Sequence, residues 1–464
     1  MKLSELKQKL INTLPKNMMP IGINPSNLEQ GGVLPFSSQT PFNIDTVKVI
    51  GVVGSRGKTT TCFIIHEFLK AIGKKSMLYS SAKIDSPAGF SDPEEGGETP
   101  LRSETIMLQL LLEAESYQPE FIVLEVNESA ITRGFVKDIP FTARVLTNIF
   151  SNHHIDIEPE DQYVNTIKSF FRTNVFNEEA KALNIFGLTG NLQREGLNEL
   201  INLNQSKSYI FGSKHIAEVR NTNSTNFDSL LLNCFHNIEG MEIEVSLKHE
   251  IHKFNTKMIM PYNALNITCA LTVLQALDIF EADTFQKIIS DLSVPGREEV
   301  FAFQDFKVIS GLFLFPILEI LAEYRDKGEI NQIRLITGAS GTGFNGWERE
   351  VTSHFYVSQR SIMRREAMNY AKRFVDHIYL TESDSAAENP ENICQELQRY
   401  IGNVITSEII INREEAIKKA IKDAESGDVL IISGRGNRNA LVVSRTEAIL
   451  FKDSDIIKSL MGEY

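Results

Sequence analysis

The sequence predicts an α/β fold: a central parallel-sheet domain built on a P-loop, a C-terminal Rossmann-like α/β domain and a short N-terminal segment. Three observations carry that prediction. From Val47 onward, apolar β-type runs alternate with stretches of helical apolar spacing, the pattern of a parallel sheet covered on both faces. The stretch Gly51–Thr61 (G-V-V-G-S-R-G-K-T-T-T) joins the strand Val47–Val53 to the helix Cys62–Ile72 through a glycine loop. After the hinge-like Ser293-Val-Pro-Gly-Arg297 the alternation starts again, which divides the chain into 1–45, 46–295 and 296–464.

A chain of 464 residues exceeds one hydrophobic core. With 42% apolar and 23% charged residues it reads as a soluble globular protein, and a net charge of −13 argues against a nucleic-acid surface. Cys62, Cys234, Cys269 and Cys394 are too scattered for a metal or redox pair and read as reduced thiols of a cytoplasmic protein. The N-terminal M-K-L-S-E-L-K-Q-K-L-I has charges at helical spacing, so it is an amphipathic helix and no signal peptide. The most apolar run, Val308–Leu321, is too short to span a bilayer and contains Pro316 and Glu319; it reads as a buried strand entering a helix near Pro316.

Taken in order, Pro20–Thr46 is a segment rich in Pro, Gly, Asn and Ser, a small cap or linker. The first set of strands is Val47–Val53, Ser76–Tyr79, Phe121–Val126 and Arg144–Ile149. Ser81–Thr99 is a polar loop at the carboxyl edge of the sheet, where ligands are usually met, and Leu101–Glu115 is a helix. Asp161–Phe176 is a helix with Tyr163, Ile167, Phe170 and Phe171 on one face. Residues 180–260 mix loops with the short strands Ser208–Phe211 and Met241–Leu247, and Asn263–Ile279 is an apolar, alanine-containing helix. Strands Lys307–Ile309, Ile333–Thr337, His377–Thr381 and Val429–Ser433 then alternate with helices near Ile317–Lys327, Arg360–Phe374, Asn392–Tyr400 and Arg413–Ser426.

Strand, glycine loop and helix in that order make a phosphate cradle. Backbone N–H groups of Gly54, Ser55, Gly57 and Thr60 approach the phosphates, Lys58 neutralises charge, and the Thr59 hydroxyl is placed to hold Mg²⁺. Val52 occupies the position where the general pattern has its first glycine. Glu125 ends a strand at the same sheet edge and is the expected partner of Thr59 on the metal. His153 and His154 follow the next strand in T-N-I-F-S-N-H-H, and a histidine there serves either as a hydrogen-bonded structural residue or as a ligand.

Together these positions resemble the Mur ligase family, ATP-dependent amide ligases, with the UDP-N-acetylmuramoyl-tripeptide synthetase branch the nearest in pattern. Gly51–Thr61 matches the family loop including its offset first glycine, and Glu125-Val-Asn-Glu-Ser129 is similar to the stretch holding the magnesium glutamate. The resemblance places His153 on the second-magnesium histidine, with Asn152 where an aspartate is usual, and Tyr262-Asn-Ala-Leu-Asn266 on the adenine-binding helix start. Arg297 falls on the hinge arginine, and the stretches from Asn412, Gly427 and Phe451 resemble the end of the tripeptide-synthetase branch. The resemblance implies ATP and Mg²⁺ as cofactors. It implies a small-molecule or peptide carboxylate activated as an acyl phosphate, an amine that displaces phosphate, and domain closure about the hinge. It implies catalytic roles for Lys58, Glu125, His153 and Lys168, and substrate contacts from Thr99, Ser129, Arg435 and Arg438.

Departures from the family pattern are equally specific. Only about 45 residues precede the first strand, so UDP-sugar substrates are not expected. The family's carbamoylated lysine falls on Ile167 with Lys168 beside it; either a one-residue shift rescues Lys168 or the carbamate is absent. The ribose aspartate aligns near Gly311, the charged glycine-rich motif becomes Thr342–Glu348, and the amino-acid motif becomes Glu382-Ser-Asp-Ser385. The loop Gly434-Arg-Gly-Asn-Arg438 trades an acid for a base, so Arg435 and Arg438 are expected to form a cationic pocket suited to an acidic or peptide-like amine. Two functions follow: an ADP-forming carboxylate–amine ligase outside ordinary tripeptide synthesis, or a catalytically silent homologue that binds nucleotide and serves a protein partner. Neither calls for a membrane or a nucleic acid, and the oligomeric state is open.

Overall fold

The first sheet is organised around β1 (Lys48–Val53), which lies at its centre. The structure, a computed structural model, describes residues 1–14, 43–86, 89–91, 104–150, 160–172, 182–188, 198–201, 207–215, 227–312, 315–342, 354–444 and 446–462. After β1 come β2 (Ser76–Tyr79), β3 (Ile84–Ser86), β4 (Gly89–Ser91), β5 (Phe121–Glu125), β6 (Phe141–Leu146), β7 (Leu183–Leu188) and β8 (Ser208–Ser213). β9 (Ser229–Asn237), β10 (Gly240–Leu247) and β11 (Glu250–Thr256) complete the sheet. Its order is β11-β10-β9-β8-β7-β6-β1-β5-β2-β3-β4, parallel from β2 to β9, with antiparallel strands added at both edges.

Strand alternation sends β1 side chains into two cores. Val49 and Val53 pack with Leu108, Leu111 and Phe170 on one face, while Ile50 and Val52 pack with Ile64, Ile65 and Leu271 on the other. Gly51 lies on the first face, and a Cβ there would stand 2.5 Å from the Phe141 ring and 3.0 Å from that of Phe170. That glycine therefore serves aromatic packing. The helix Leu3–Thr13 buries Leu3, Leu6 and Leu10 in the same core and pairs Lys7 with Glu115 of the helix Glu104–Tyr117. The N-terminal helix is thus part of this core; most of the Pro20–Thr46 segment lies outside the described residues.

The second sheet has the order β12-β13-β17-β14-β15-β16, with β12 (Glu299–Ala302) antiparallel at the edge. Its other strands, β13 (Lys307–Gly311), β14 (Ile333–Thr337), β15 (His377–Leu380), β16 (Thr406–Ile409) and β17 (Val429–Ser433), run parallel. Ile309, Leu335, Ile378 and Ile431 share one core with Leu318, Leu321 and Leu397; Val308, Ile336, Leu430 and Ile432 share the other with Ile417, Ile421 and Ile457. A hairpin of β18 (Ala440–Val442) and β19 (Ala448–Leu450) follows. The first sheet meets the second unit where His236 Nδ1 of β9 lies 2.6 Å from the buried Tyr324 hydroxyl of the helix Ile317–Asp326 and Glu239, in the β9–β10 turn, pairs with Lys307 of β13 at 2.6 Å.

Most expected elements are present, with three instructive differences. The strand expected at Arg144–Ile149 begins at Phe141, directly after Pro140, which lacks the N–H a ladder needs. The expected loop Ser81–Thr99 contains β3 and β4, which fold back antiparallel on β2. The region 180–260 supplies five strands in place of two: β9 and β11 carry polar residues on their outward faces, which dilutes their period, while β7 is a short, almost fully buried run.

Candidate active site

The carboxyl ends of β1, β2 and β5 bring the first group of side chains together. β1 leads through residues 54–57 into the helix Lys58–Ala71. Gly57 has φ +79°, and a Cβ there would meet Asn266 Oδ1 at 2.0 Å. Gly54 has φ +139°, with Thr147 Oγ1 in the space a Cβ would need. Both glycines are required by conformation and by close approach. Val52, at the unusual position, is buried in the strand, and its carbonyl accepts from Val126 N at 2.9 Å. The loop is held from the side by Thr147 and Asn148: Thr147 Oγ1 and Asn148 Nδ2 donate to Arg56 O at 2.7 and 2.9 Å, and Ser55 N donates to Asn148 O. Lys58 Nζ folds back to Gly54 O at 2.7 Å, over the loop.

Glu125, at the end of β5, is buried and nearly saturated. Thr59 Oγ1 lies 3.1 Å from both carboxylate oxygens, Ser81 N donates to Oε2 at 2.7 Å and Ser81 Oγ at 3.0 Å. Arg297 reaches the same place from the connection to the second sheet, its Nη2 3.0 Å from Ser81 Oγ and 3.4 Å from Thr59 Oγ1. Hydroxyl and carboxylate oxygens beside a helix N-terminus are a hard donor set that fits Mg²⁺. Beside Arg297, burial raises the Glu298 carboxyl above its ordinary range, against hydrogen bonds from Tyr262 and Asn263 and the Arg297 charge. Asn266 Nδ2 donates to Asn263 Oδ1 at 2.9 Å, which fixes the side chain facing Gly57. Thr60 is buried in the first turn of the helix.

Sequence reasoning missed Ser81, which with Thr59 holds the Glu125 carboxylate. The available signal was its place just beyond β2, the strand paired in parallel with β5 at the same edge. Ser129 lies in the short helix Glu128–Thr132 after Glu125, half-buried and capped by Asn127. His153, His154, Asn152 and Thr99 lie outside the described residues. Tyr163 bonds Ser55 Oγ at 2.9 Å, and Ile167, one turn on, is buried in the core. Lys168 is turned elsewhere: its ammonium lies 2.5 Å from Glu199.

The second sheet corrects one expectation. Arg435 and Arg438 do not form a cationic pocket without an acid. Arg435 is fully buried and donates to Asp384 Oδ1 at 2.6 Å and to Ala440 O at 2.7 Å, with its guanidinium over the Phe451 ring. Arg438 bonds Asp384 Oδ2 at 3.1 Å, and Val442 N donates to Oδ1. Burial lowers the Arg435 pKa and the Asp384 charge opposes that shift. Asp384 belongs to the same Glu382–Ser385 stretch whose family motif is altered, so the acid lost from one loop stands in its neighbour. Likewise Arg413 and Asp453, from two stretches quoted above, form a buried two-pronged pair at 2.8 and 2.9 Å.

A family model of the Mur ligase middle domain matches residues 52–274, and one of the Mur ligase glutamate ligase domain matches 352–436. A UDP-N-acetylmuramoyl-L-alanyl-D-glutamate–2,6-diaminopimelate ligase of Aquifex aeolicus is 25% identical over 421 residues, covering 90% of this chain and 78% of the relative. Its Helicobacter pylori counterpart is 24% identical over 437 residues, covering 92% and 86%. Among solved structures, MurF ligase from Thermotoga maritima in complex with ADP superposes with TM-score 0.57 at 16% identity, covering 93% of this chain and 80% of that one. A folylpolyglutamate synthase from Thermotoga maritima gives TM-score 0.58 at 13% identity, covering 92% and 93%. At those identities the structural likeness speaks for the fold alone.

Proposed function

The chain belongs to the Mur ligase family, and from that premise we propose that it is an ADP-forming ligase joining a carboxylate to an amine. The observation that carries this reading is the grouping of Lys58, Thr59, Ser81, Glu125 and Arg297 at one helix N-terminus. In the proposed reaction a substrate carboxylate oxygen attacks the γ-phosphorus of ATP. The bond to the bridging oxygen breaks, ADP leaves, and an acyl phosphate remains. An amine then attacks the acyl carbon, loses a proton, and inorganic phosphate departs with its bonding pair.

Positioning and charge neutralisation dominate such phosphoryl transfer. Backbone N–H groups of Gly54–Thr60 bind the phosphates, Lys58 offsets their charge, and Asn266 orients the base beside Gly57. Thr59 and Glu125 would hold Mg²⁺, joined by His153, and the ion when bound supplies electrostatic stabilisation of the transferring group. Residues 46–295 serve ATP and the carboxylate; residues 296–464 serve the amine, with Arg297 between them. The relatives' names point to murein-type substrates. The altered Glu382–Ser385 and Gly434–Arg438 loops support a different amine, and Ser129 and Thr99 are proposed contacts of the carboxylate partner. A cytoplasmic setting accords with this reading; among the described residues no helix is long and apolar enough to cross a membrane.

The test is phosphate release from ATP with panels of carboxylates and amines, for the wild type and Lys58→Ala. Turnover that needs both partners and disappears in the variant supports the ligase; its absence across the panels counts against it. A second reading, a nucleotide-binding homologue that no longer ligates, is favoured by buried Ile167 and by Lys168 paired with Glu199. Tight ATP binding without turnover, together with a stable complex with another protein, selects it.

A further inference from the structure

We propose that Asn437 is a positioning residue through which the second sheet sets Ser81, and thereby Glu125, for the ligase reaction proposed above. Asn437 is buried at 5% exposure, and its Nδ2 donates to Ala82 O across the junction of the two sheets. Ala82 lies in a tight turn: Ser80 N donates to Lys83 O at 3.1 Å, and Ser80 Oγ accepts from Ala82 N and Lys83 N at 3.3 and 3.1 Å. The next residue back, Ser81, gives both its N–H and its hydroxyl to Glu125. One side-chain amide therefore stands a single residue away from the carboxylate that partners Thr59.

The other end of this contact is equally fixed. A Cβ on Gly296 would stand 2.4 Å from Asn437 N, and one on Gly436 would stand 3.1 Å from Gly296 O. The loop is pressed against the residue before Arg297. Arg435 and Arg438, on either side of Asn437, both grip Asp384. The five residues Gly434–Arg438 thus bind the Glu382–Ser385 loop of their own sheet and the Ser80–Lys83 turn of the other. Any displacement of that loop withdraws the donor from a buried carbonyl, which is costly to leave unpaired. Movement at the proposed amine side is in this way transmitted to the phosphate side through one hydrogen bond.

The experiment is amide hydrogen exchange of the full chain at Ser81–Lys83, for the wild type, Asn437→Ala, Asn437→Asp and Asn437→His. The first two variants lack the donor and are expected to speed exchange there about tenfold. Asn437→His retains a donor of similar reach at Nδ1 and is expected to restore wild-type protection, whereas Asn437→Asp fills the same space without a donor; a merely space-filling role would protect both alike. Thermal midpoints are measured for all four, and exchange is compared at a temperature where each is fully folded, so that local opening is separated from global unfolding. Unchanged exchange in Asn437→Ala and Asn437→Asp, or a histidine variant as fast as the alanine one, overturns the proposal. Binding of a non-hydrolysable ATP analogue to the wild type is measured in parallel. Its absence sinks the ligase reading, while the exchange pattern decides on Asn437.

Discussion

The Lys168 ammonium lies 2.5 Å from the Glu199 carboxylate, on a helix whose preceding residue, Ile167, is buried in the core. Successive helical residues point about 100° apart, so Tyr163 and Ile167 face the loop and the core together while Lys168 is directed to one side. The hydrogen bond and charge of Lys168 hold the Glu199 carboxyl below its ordinary range. A carbamate on Lys168 would place a negative charge against Glu199. Lys168→Ala is therefore expected to keep ATP-dependent phosphate release within about threefold of wild type, the scale of an exposed ion pair. Bicarbonate should leave both rates unchanged. A loss of a hundredfold or more, rescued by a small acid, would place Lys168 in the reaction.

Glu125→Gln keeps the shape that accepts from Thr59 and Ser81 but removes the anion. Phosphate release should fall by about a hundredfold or more, since the lost charge faces the proposed Mg²⁺. Calorimetric binding of the ATP analogue, with and without Mg²⁺, separates this cause from misfolding: the metal-dependent part of the affinity should vanish alone.

Gly57→Ala tests the cradle directly. A left-handed φ of +79° and a neighbour 2.0 Å from the new Cβ leave no relaxed solution without moving Asn266. The expected cost is about 1–3 kcal/mol of stability. Denaturant midpoints and analogue titrations check it, and affinity should fall even where the variant is fully folded.

Asp384→Ala leaves the Arg435 guanidinium buried opposite no carboxylate. Breaking such a pair from one side typically costs about 3–5 kcal/mol, whereas replacing both partners by apolar groups is nearly neutral. The double variant Asp384→Leu with Arg435→Met should therefore be more stable than Asp384→Ala alone. Limited proteolysis of the region 382–450 reads this locally in a chain with more than one core.

Acid should weaken the grip of β3 on the loop helix. Burial alone would raise the Asp85 carboxyl, but hydrogen bonds from His66 and Lys70 outweigh it and hold the group below its ordinary range. A depressed carboxylate contributes stability fully above its unfolded value, and that contribution is lost as pH falls through the folded one. Asp85→Asn should then show its full deficit near neutral pH and a smaller one at about pH 3. Denaturation midpoints across that range provide the check.

Much of this protein is legible in its sequence. β2, β14 and β17 fall where apolar runs predict them to the residue, because a strand buried on both faces writes itself as a mostly apolar segment, with Arg334 the one charged residue among the three. The glycine loop is equally legible, since left-handed φ and close backbone approach are local demands that only glycine meets readily. The edge strand β11 and the interior strand β9 are obscured by polar residues on their outward faces.

By itself, then, the sequence determined the alternation of strands and helices, the glycine loop between β1 and its helix, and the placing of Glu125 at the same sheet edge. Only the tertiary structure decided the partners of the charged groups. Asp384 and Arg435 are 51 residues apart and Asn437 and Ala82 are 355 apart, so no periodicity connects them. A buried charge or amide is satisfied by whatever the packed chain brings within about 3 Å, and that is a property of the assembled fold.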